Sequence, residues 1–267
     1  MVQHKPPTYE IKVGTSGFSY DDWRGVFYPQ EISRADMLAY YCRHFQTVEI
    51  NATYYAIPDH KTFERMVLKT PPDFEFIVKT DRETTHDRND KGNALQKLLQ
   101  ALTPMIESGK LKGLLAQFPY SCKNNEVNRA HLARTKNIAG DIPLFVEFRN
   151  YTWNSEPIVD FLKANAIGYV NTDEPALKGL LPPQAHVTSD AGYIRFHGRN
   201  KKDWWDGKGS ARYNYEYSPE ELREWLTRIS RILHKTYKSY IFFNNHPQGK
   251  AVKNARQMME ILEKELL

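Results

Sequence analysis

The feature that most constrains this chain is a recurrence. Eight short runs rich in β-branched and aromatic residues lie at 11–15, 47–51, 74–79, 112–118, 143–148, 167–171, 192–197 and 239–243, with helix-length stretches between most of them. Their starts fall about 33 residues apart on average, close to the ~31 per unit of a 250-residue barrel with eight strand–helix repeats. The spacing predicts a single α/β domain of the (β/α)8 TIM type over residues 11–267, with residues 1–10 as an N-terminal tail. No linker, composition shift or internal repeat divides it.

Several intervening segments have helical periodicity and legible caps. One begins at Ser33, places Asp36 at the third helical position and buries Met37, Leu38, Tyr41 and Phe45. A second carries Leu95, Leu98, Leu99, Leu102, Met105 and Ile106 as one stripe. Ser218, Pro219 and Glu221 form a capping box that leads into Leu222, Trp225, Leu226, Ile229 and Leu233. The final helix shows Ala251, Val252, Ala255, Met258, Met259 and Leu262. Residues 172–191 contain Pro175, Pro182 and Pro183 and little periodicity, so the helix after the sixth strand is expected to be missing.

Composition excludes several classes. A compact chain of 267 residues buries roughly 70–75% of its unfolded surface, so it needs neither disulfides nor a structural metal. Cys42 and Cys122, its two cysteines, lack CxxC or Cys/His spacing and read as reduced thiols. No apolar run approaches the ~18 residues of a membrane span, and the first ten residues lack an apolar core, so a soluble cytoplasmic protein with no membrane partner is expected. The net charge of +5 is too mild to decide for or against nucleic acid.

In such a barrel the site lies at the carboxyl ends of the strands, and polar residues are dense there. In order they are Thr15 and Ser16, Glu49 and Asn51, Lys79 and His86, Gln117, Glu147 and Arg149, Asp173, Arg195 and His197, then Asn244, Asn245 and His246. Strand alternation puts Glu49 with Asn51, Glu147 with Arg149, and Arg195 with His197 on shared faces. Buried charges cost several kcal/mol each unless paired. One reading is therefore a self-satisfied ionic network, in which Arg149 pairs with Glu49 or Glu147; the other is an active site. Three histidines and three acids at strand ends also suit a divalent metal, but no HxH or HExxH spacing supports one, and Lys79, Arg149 and Arg195 would repel it. No motif identifies a cofactor.

Two loops add to this picture. Residues 14–25 place Gly14, Gly17 and Gly25 where backbone can approach a ligand. Residues 198–217 lack periodicity and interleave Arg199, Lys201, Lys202, Lys208 and Arg212 with Trp204, Trp205, Tyr213, Tyr215 and Tyr217, a composition suited to a lid over phosphates and stacked rings.

Taken as a set, Gly14-Thr15-Ser16-Gly17-Phe18-Ser19-Tyr20, Phe27-Tyr28-Pro29, Val48-Glu49-Ile50-Asn51 with Thr53, Tyr54 and Tyr55, Gln117-Phe118-Pro119, Glu147-Phe148-Arg149 with Trp153, Arg195-Phe196-His197-Gly198-Arg199 and Phe243-Asn244-Asn245-His246 resemble the domain-of-unknown-function-72 family, also called YecE-like. The resemblance spans roughly residues 11–265 and implies a (β/α)8 barrel with these positions as signature residues. It supplies no activity.

The expectation is an enzyme binding a small anionic, phosphate-bearing substrate, with nucleotide or nucleic acid included, and a phosphoester or phosphodiester hydrolase as the leading class. Glu147, Glu49, Asp173, His197 and His246 are the acid–base candidates. Thr15, Ser16, Asn51, Tyr54, Lys79, His86, Gln117, Arg149, Trp153, Arg195, Arg199, Tyr213, Tyr215, Asn244 and Asn245 are the substrate contacts. Anion binding is expected where the loops after the last two strands meet, through Arg195, Arg199 and a helix starting near Gly249. The alternatives are a non-catalytic nucleotide or nucleic-acid binder and a metal-dependent hydrolase or isomerase.

Overall fold

The computed structural model describes residues 9–89 and 91–266. Eight strands run β1 Glu10–Thr15, β2 Thr47–Ile50, β3 Glu75–Lys79, β4 Leu111–Gln117, β5 Leu144–Glu147, β6 Ile167–Asp173, β7 Ala191–Phe196 and β8 Lys238–Phe243. Every ladder is parallel, in the order β1-β8-β7-β6-β5-β4-β3-β2. β1 and β2 share no ladder. A single bridge between Ser16 and Glu49, with Gly17 N–H donating to the Glu49 carbonyl at 2.7 Å, closes the ring at its carboxyl end. Of the expected tail, residues 1–8 lie outside the described residues, and Glu10 already pairs with Lys238.

The helices are α1 Met37–Tyr41, α2 His60–Leu68, α3 Asn93–Ala101, α4 Thr103–Glu107, α5 Glu126–Ala139, α6 Glu156–Ala164, α7 Pro219–Arg223, α8 Leu226–Leu233 and α9 Lys250–Glu265. None of residues 174–190 is helical, so the sixth unit lacks its helix. The Ser218 capping box is present and opens α7. Two expectations need correction. Ser33 accepts from the Asp36 N–H at 3.2 Å, but only a turn forms there and regular helix begins at Met37. The stripe from Leu95 to Ile106 is split into α3 and α4, because Pro104 has no N–H to give the Gln100 carbonyl; the Thr103 hydroxyl donates to it instead at 2.8 Å.

Alternation divides the apolar residues into two sets. Ile77, Leu115, Phe145, Val170, Tyr193, Tyr240 and Phe242 fill the barrel, while a larger set including Val48, Phe76, Leu114, Val146, Ile194 and Ile241 packs outward under the helices. Gly113 and Gly168 make room for Phe145, whose ring would meet an added Cβ at 2.6 and 2.4 Å. The filled middle blocks any channel. Below it Glu75 binds Lys238 at 2.6 Å and the Tyr240 hydroxyl at 2.8 Å, so polar chemistry is left to the upper layer.

The seam between β1 and β2 depends on close backbone approach. A Cβ on Gly14 would stand 2.4 Å from the Thr47 carbonyl oxygen, and backbone cannot swing aside as a side chain can. Gly14→Ala should therefore destabilise the fold by about 1–3 kcal/mol, lowering the thermal midpoint by ~2–4 °C per kcal/mol. An unchanged midpoint would show that the seam relaxes freely.

Candidate functional site

Directly above the apolar filling sits a buried ionic layer built by inward-facing strand residues. Arg195 on β7 pairs with Glu49 on β2 at 2.6 Å and with Glu147 on β5, and donates more weakly to Ser16 at 3.3 Å. The Tyr193 hydroxyl donates to the other oxygen of Glu49 at 2.6 Å. Arg149 binds Glu147 and Glu174, each at 2.7 Å. His197 Nε2 lies 3.2 Å from Glu147, and its Nδ1 meets the Asn244 amide at 3.1 Å.

Charge pairing sets the protonation of this layer. Burial opposes ionisation of Glu147, but Arg149 and Arg195 overcome it and hold the carboxyl well below its usual range. Burial and Arg149 push His197 down to about 3. Arg149 Nη2, which can only donate, lies 3.1 Å from the same Nε2, so the neutral ring stands between that guanidinium and Glu147 with Nδ1 toward Asn244. Glu174 is pushed up to about 7 by burial, with Arg149 opposing.

The acids expected from the sequence therefore do not face solvent. Glu49, Glu147, Asp173 and His197 are each 0% exposed. Asp173 points outward from β6 and is held by Arg199 at 2.8 Å, the Tyr217 hydroxyl at 2.7 Å and the Trp225 indole at 2.7 Å. Arg199 reaches Glu224 as well, at 2.9 Å. Arg195 and Arg199 thus spend their guanidinium groups on carboxylates, and the backbone N–H of Gln248, just before α9, is taken by Asp22 at 2.7 Å. Arg195 Nε, though buried, has no hydrogen-bond partner among the described residues, but the other donors of the anion grip expected at the last two strands are largely taken up by carboxylates. Thr15 is turned outward to Tyr41, and Asn245 binds Asn254 at 2.8 Å and the Tyr215 carbonyl at 2.8 Å. Tyr215 caps Glu221 through its hydroxyl. Trp153 stacks on Phe148 at 4.1 Å beneath the helices.

What the structure does bring together is a cleft of about 670 Å³ above the ionic layer. Of the residues expected to contact substrate, Asn51, Tyr54, Lys79, His86, Gln117, Arg149, Arg195, Tyr213 and Asn244 line it, as does His246. Tyr20, Tyr55, Tyr120, Trp204, Trp205 and Arg212 complete much of the wall. Trp204 is buried with its ring 5.4 Å from the Arg149 guanidinium, so the 198–217 loop is anchored on the ionic layer. Among the described residues, no aspartate or glutamate lines the cleft. Lys79 donates to Gln117 at 3.0 Å, and its ammonium lies 4.5 Å from the Tyr54 ring centre. Burial and the nearby Arg195 push it down to about 8, against the pull of Glu147 and Glu49. His86 is pushed down to about 4, mostly by burial and then by Lys79, and burial also lowers His246, which stacks on Tyr20 at 4.4 Å. No cluster of three His, Cys, Asp or Glu side chains suited to a metal ion occurs among the described residues, nor any helix long and apolar enough to cross a membrane.

The family described as Protein of unknown function DUF72 matches residues 12–266. This chain belongs to the DUF72 family. It is 34% identical over 272 residues to the UPF0759 protein YunF of Bacillus subtilis strain 168, an alignment covering 95% of each. A DUF72 structure from Thermotoga maritima MSB8 superposes with a TM-score of 0.89 at 39% identity, covering 96% of this chain and all of that one. A DUF72 protein of Enterococcus faecalis V583 gives 0.84 at 26% identity, with 95% of each chain covered. The 3-keto-D-glucoside 4-epimerase YcjR of E. coli, at 10% identity and a TM-score of 0.54, shares the fold alone.

Glu174 joins the ionic layer although its neighbour Asp173 was the residue expected there. The barrel-filling Val170 shows which parity of β6 points inward, and counting on by two reaches Thr172 and then Glu174. Tyr20, Tyr55 and Tyr120 come from loops, where no such parity exists.

Two outcomes follow from the ionic layer. Glu147→Ala leaves two guanidinium groups short of a partner and should cost about 3–5 kcal/mol, measured by denaturant unfolding. His197 is neutral when folded but titrates near 6.5 when unfolded, so its contribution is fully present above pH 6.5 and is lost progressively as pH falls toward 3. Replacing it with glutamine should remove about 1.4 kcal/mol per pH unit from the slope of stability between pH 6.5 and 4.5. An unaltered slope would mean that His197 is protonated in the fold.

Proposed function

We propose that this DUF72 barrel is an enzyme for a small anionic substrate, a carboxylate or phosphate ester, and that its reactive group is the amine of Lys79 rather than a carboxylate. The observation that carries this is the partition of charge. Glu49, Glu147 and Glu174 are buried below and committed to Arg149, Arg195 and His197, whereas the lining of the cleft above includes Lys79, Arg149, Arg195 and Arg212 with no acid among its described residues. An anion entering the cleft meets Lys79 and Arg212 with no acid among the described lining residues, while Arg149 and Arg195 beneath them are already paired. Arg212 has no ion-pair partner among the described residues, and Lys79 is held only by a neutral amide and a ring. Amides on Gln117, Asn51 and Asn244 and the rings of Tyr54, Tyr213 and Trp205 supply the remaining contacts that a small polar molecule needs.

Carboxylate acid–base catalysis fits less well. Glu147 stays ionised at any ordinary pH and Asp173 lies outside the barrel wall. The titratable groups that do reach the cleft are Lys79, His86, His246 and tyrosines.

Thermal unfolding with inorganic phosphate and sulfate tests the reading. At tenfold over its dissociation constant, a bound anion stabilises by about 1.4 kcal/mol, a rise of ~3–6 °C in midpoint. A Lys79→Met, Arg212→Ala double variant should lose most of that rise. Equal protection of both proteins would overturn the assignment. Protection by a single-stranded oligonucleotide where phosphate gives none would assign the cleft to nucleic acid.

A further inference from the structure

We infer that Lys79 is a covalent nucleophile that forms an imine with a small aldehyde or ketone bearing a carboxylate or phosphate. The inference rests on the anionic-substrate reading above and adds the reacting group that the substrate must carry.

The geometry around Nζ is that of an amine kept available. It stands on the inner face at the end of β3, on the wall of the cleft. Its single hydrogen-bond acceptor among the described residues is Gln117 Oε1 at 3.0 Å. The amide of Gln117 is itself oriented by donation from Nε2 to the Phe118 carbonyl at 2.9 Å, which turns the oxygen toward the lysine. A neutral acceptor fixes the position of the amine without locking in its proton, as a carboxylate would. The other face of Nζ is covered by the Tyr54 ring, which tolerates a cation at that place.

The charged groups acting on Nζ are Arg195 and Arg149, which favour the free amine, and Glu147 and Glu49, which favour a cation. His86 stands against Tyr54 and is neutral near pH 7. With Lys79 near 8, roughly a tenth is unprotonated at pH 7, against fewer than about one in a thousand for an exposed lysine at ~10.4.

The step balances without any co-reactant. The Nζ lone pair attacks the carbonyl carbon while the carbonyl π electrons move to oxygen, giving a carbinolamine. The two amine protons leave with that oxygen as water when the C–O bond breaks and C=N forms. Protonation of the imine then restores a cation where the ammonium stood, and Glu49 and Glu147 stabilise it from below. The iminium withdraws electrons from the neighbouring C–H or C–C bond, and water later returns the lysine.

Reductive trapping decides the matter. Wild-type protein is incubated at pH 7.5 with pyruvate, dihydroxyacetone phosphate or neutral acetone in sodium cyanoborohydride, and the lysines are mapped by peptide mass spectrometry. Lys79 should be labelled by the two anionic carbonyls at least about tenfold faster than the mean of the other lysines. Its rate should rise with a midpoint near pH 8, and phosphate should slow it. Lys79→Arg should abolish the fast label. Gln117→Glu, which keeps the lysine but offers it a carboxylate, should slow labelling and move the midpoint upward. Labelling of Lys79 no faster than the mean overturns the inference. If phosphate still raises the thermal midpoint in that case, the anionic cleft stands and only the imine falls. Selective labelling by acetone equal to that by pyruvate, indifferent to phosphate, would keep the imine and remove the anionic substrate.

Discussion

Everything at the mouth of this barrel depends on how Glu147 is shared. One buried carboxylate receives Arg149, Arg195 and His197, drawn from the carboxyl ends of β5 and β7. Two guanidinium groups cannot be taken out of water without such a counter-charge. Glu49 and Glu174 complete the arrangement by taking the outer donors of Arg195 and Arg149. Because the acids are consumed beneath, the surface left to the cleft is cationic. The character of the site is therefore decided one layer below it.

This layer also keeps His197, just past the end of β7, neutral. A charged imidazole at His197 would add a third cation beside Arg149 and Arg195, and burial removes the water that would offset it. His197 serves as a neutral spacer among Glu147, Arg149 and Asn244. Lys79 stands farther from the acids and has no carboxylate contact, so the same surroundings make it titratable rather than locked.

Strand recurrence made the barrel legible from the amino-acid sequence, since eight apolar runs at even spacing admit few other arrangements, and Pro175, Pro182 and Pro183 already marked the missing helix. The boundaries moved by one or two residues, as with β6, which continues to Asp173 rather than stopping at Asn171. Inward direction was legible wherever two polar residues alternated, as at Glu49 and Asn51. It failed where a strand end was crowded: Asp173 and Glu174 are adjacent, and only the packing of Val170 shows which faces in. Partner choice was legible least. Arg199 looked like an anion donor because the sequence does not reveal that Asp173, Glu221 and Glu224 surround it. Cleft walls contributed by loops, such as Tyr20 and Tyr120, depend on chain paths that periodicity does not encode.

The seam between β1 and β2 has a consequence in time as well as in space. β1 finds its only ladder in β8, more than two hundred residues further along the chain. As the polypeptide leaves the ribosome, β1 must wait for β8 to be made before it can join the sheet. β3 to β8 can pair in succession as they emerge, each with its immediate predecessor. Ring closure then comes after the other pairings, and because the Ser16–Glu49 bridge sits in that seam, the pocket above it comes into being only when β1 has met β8.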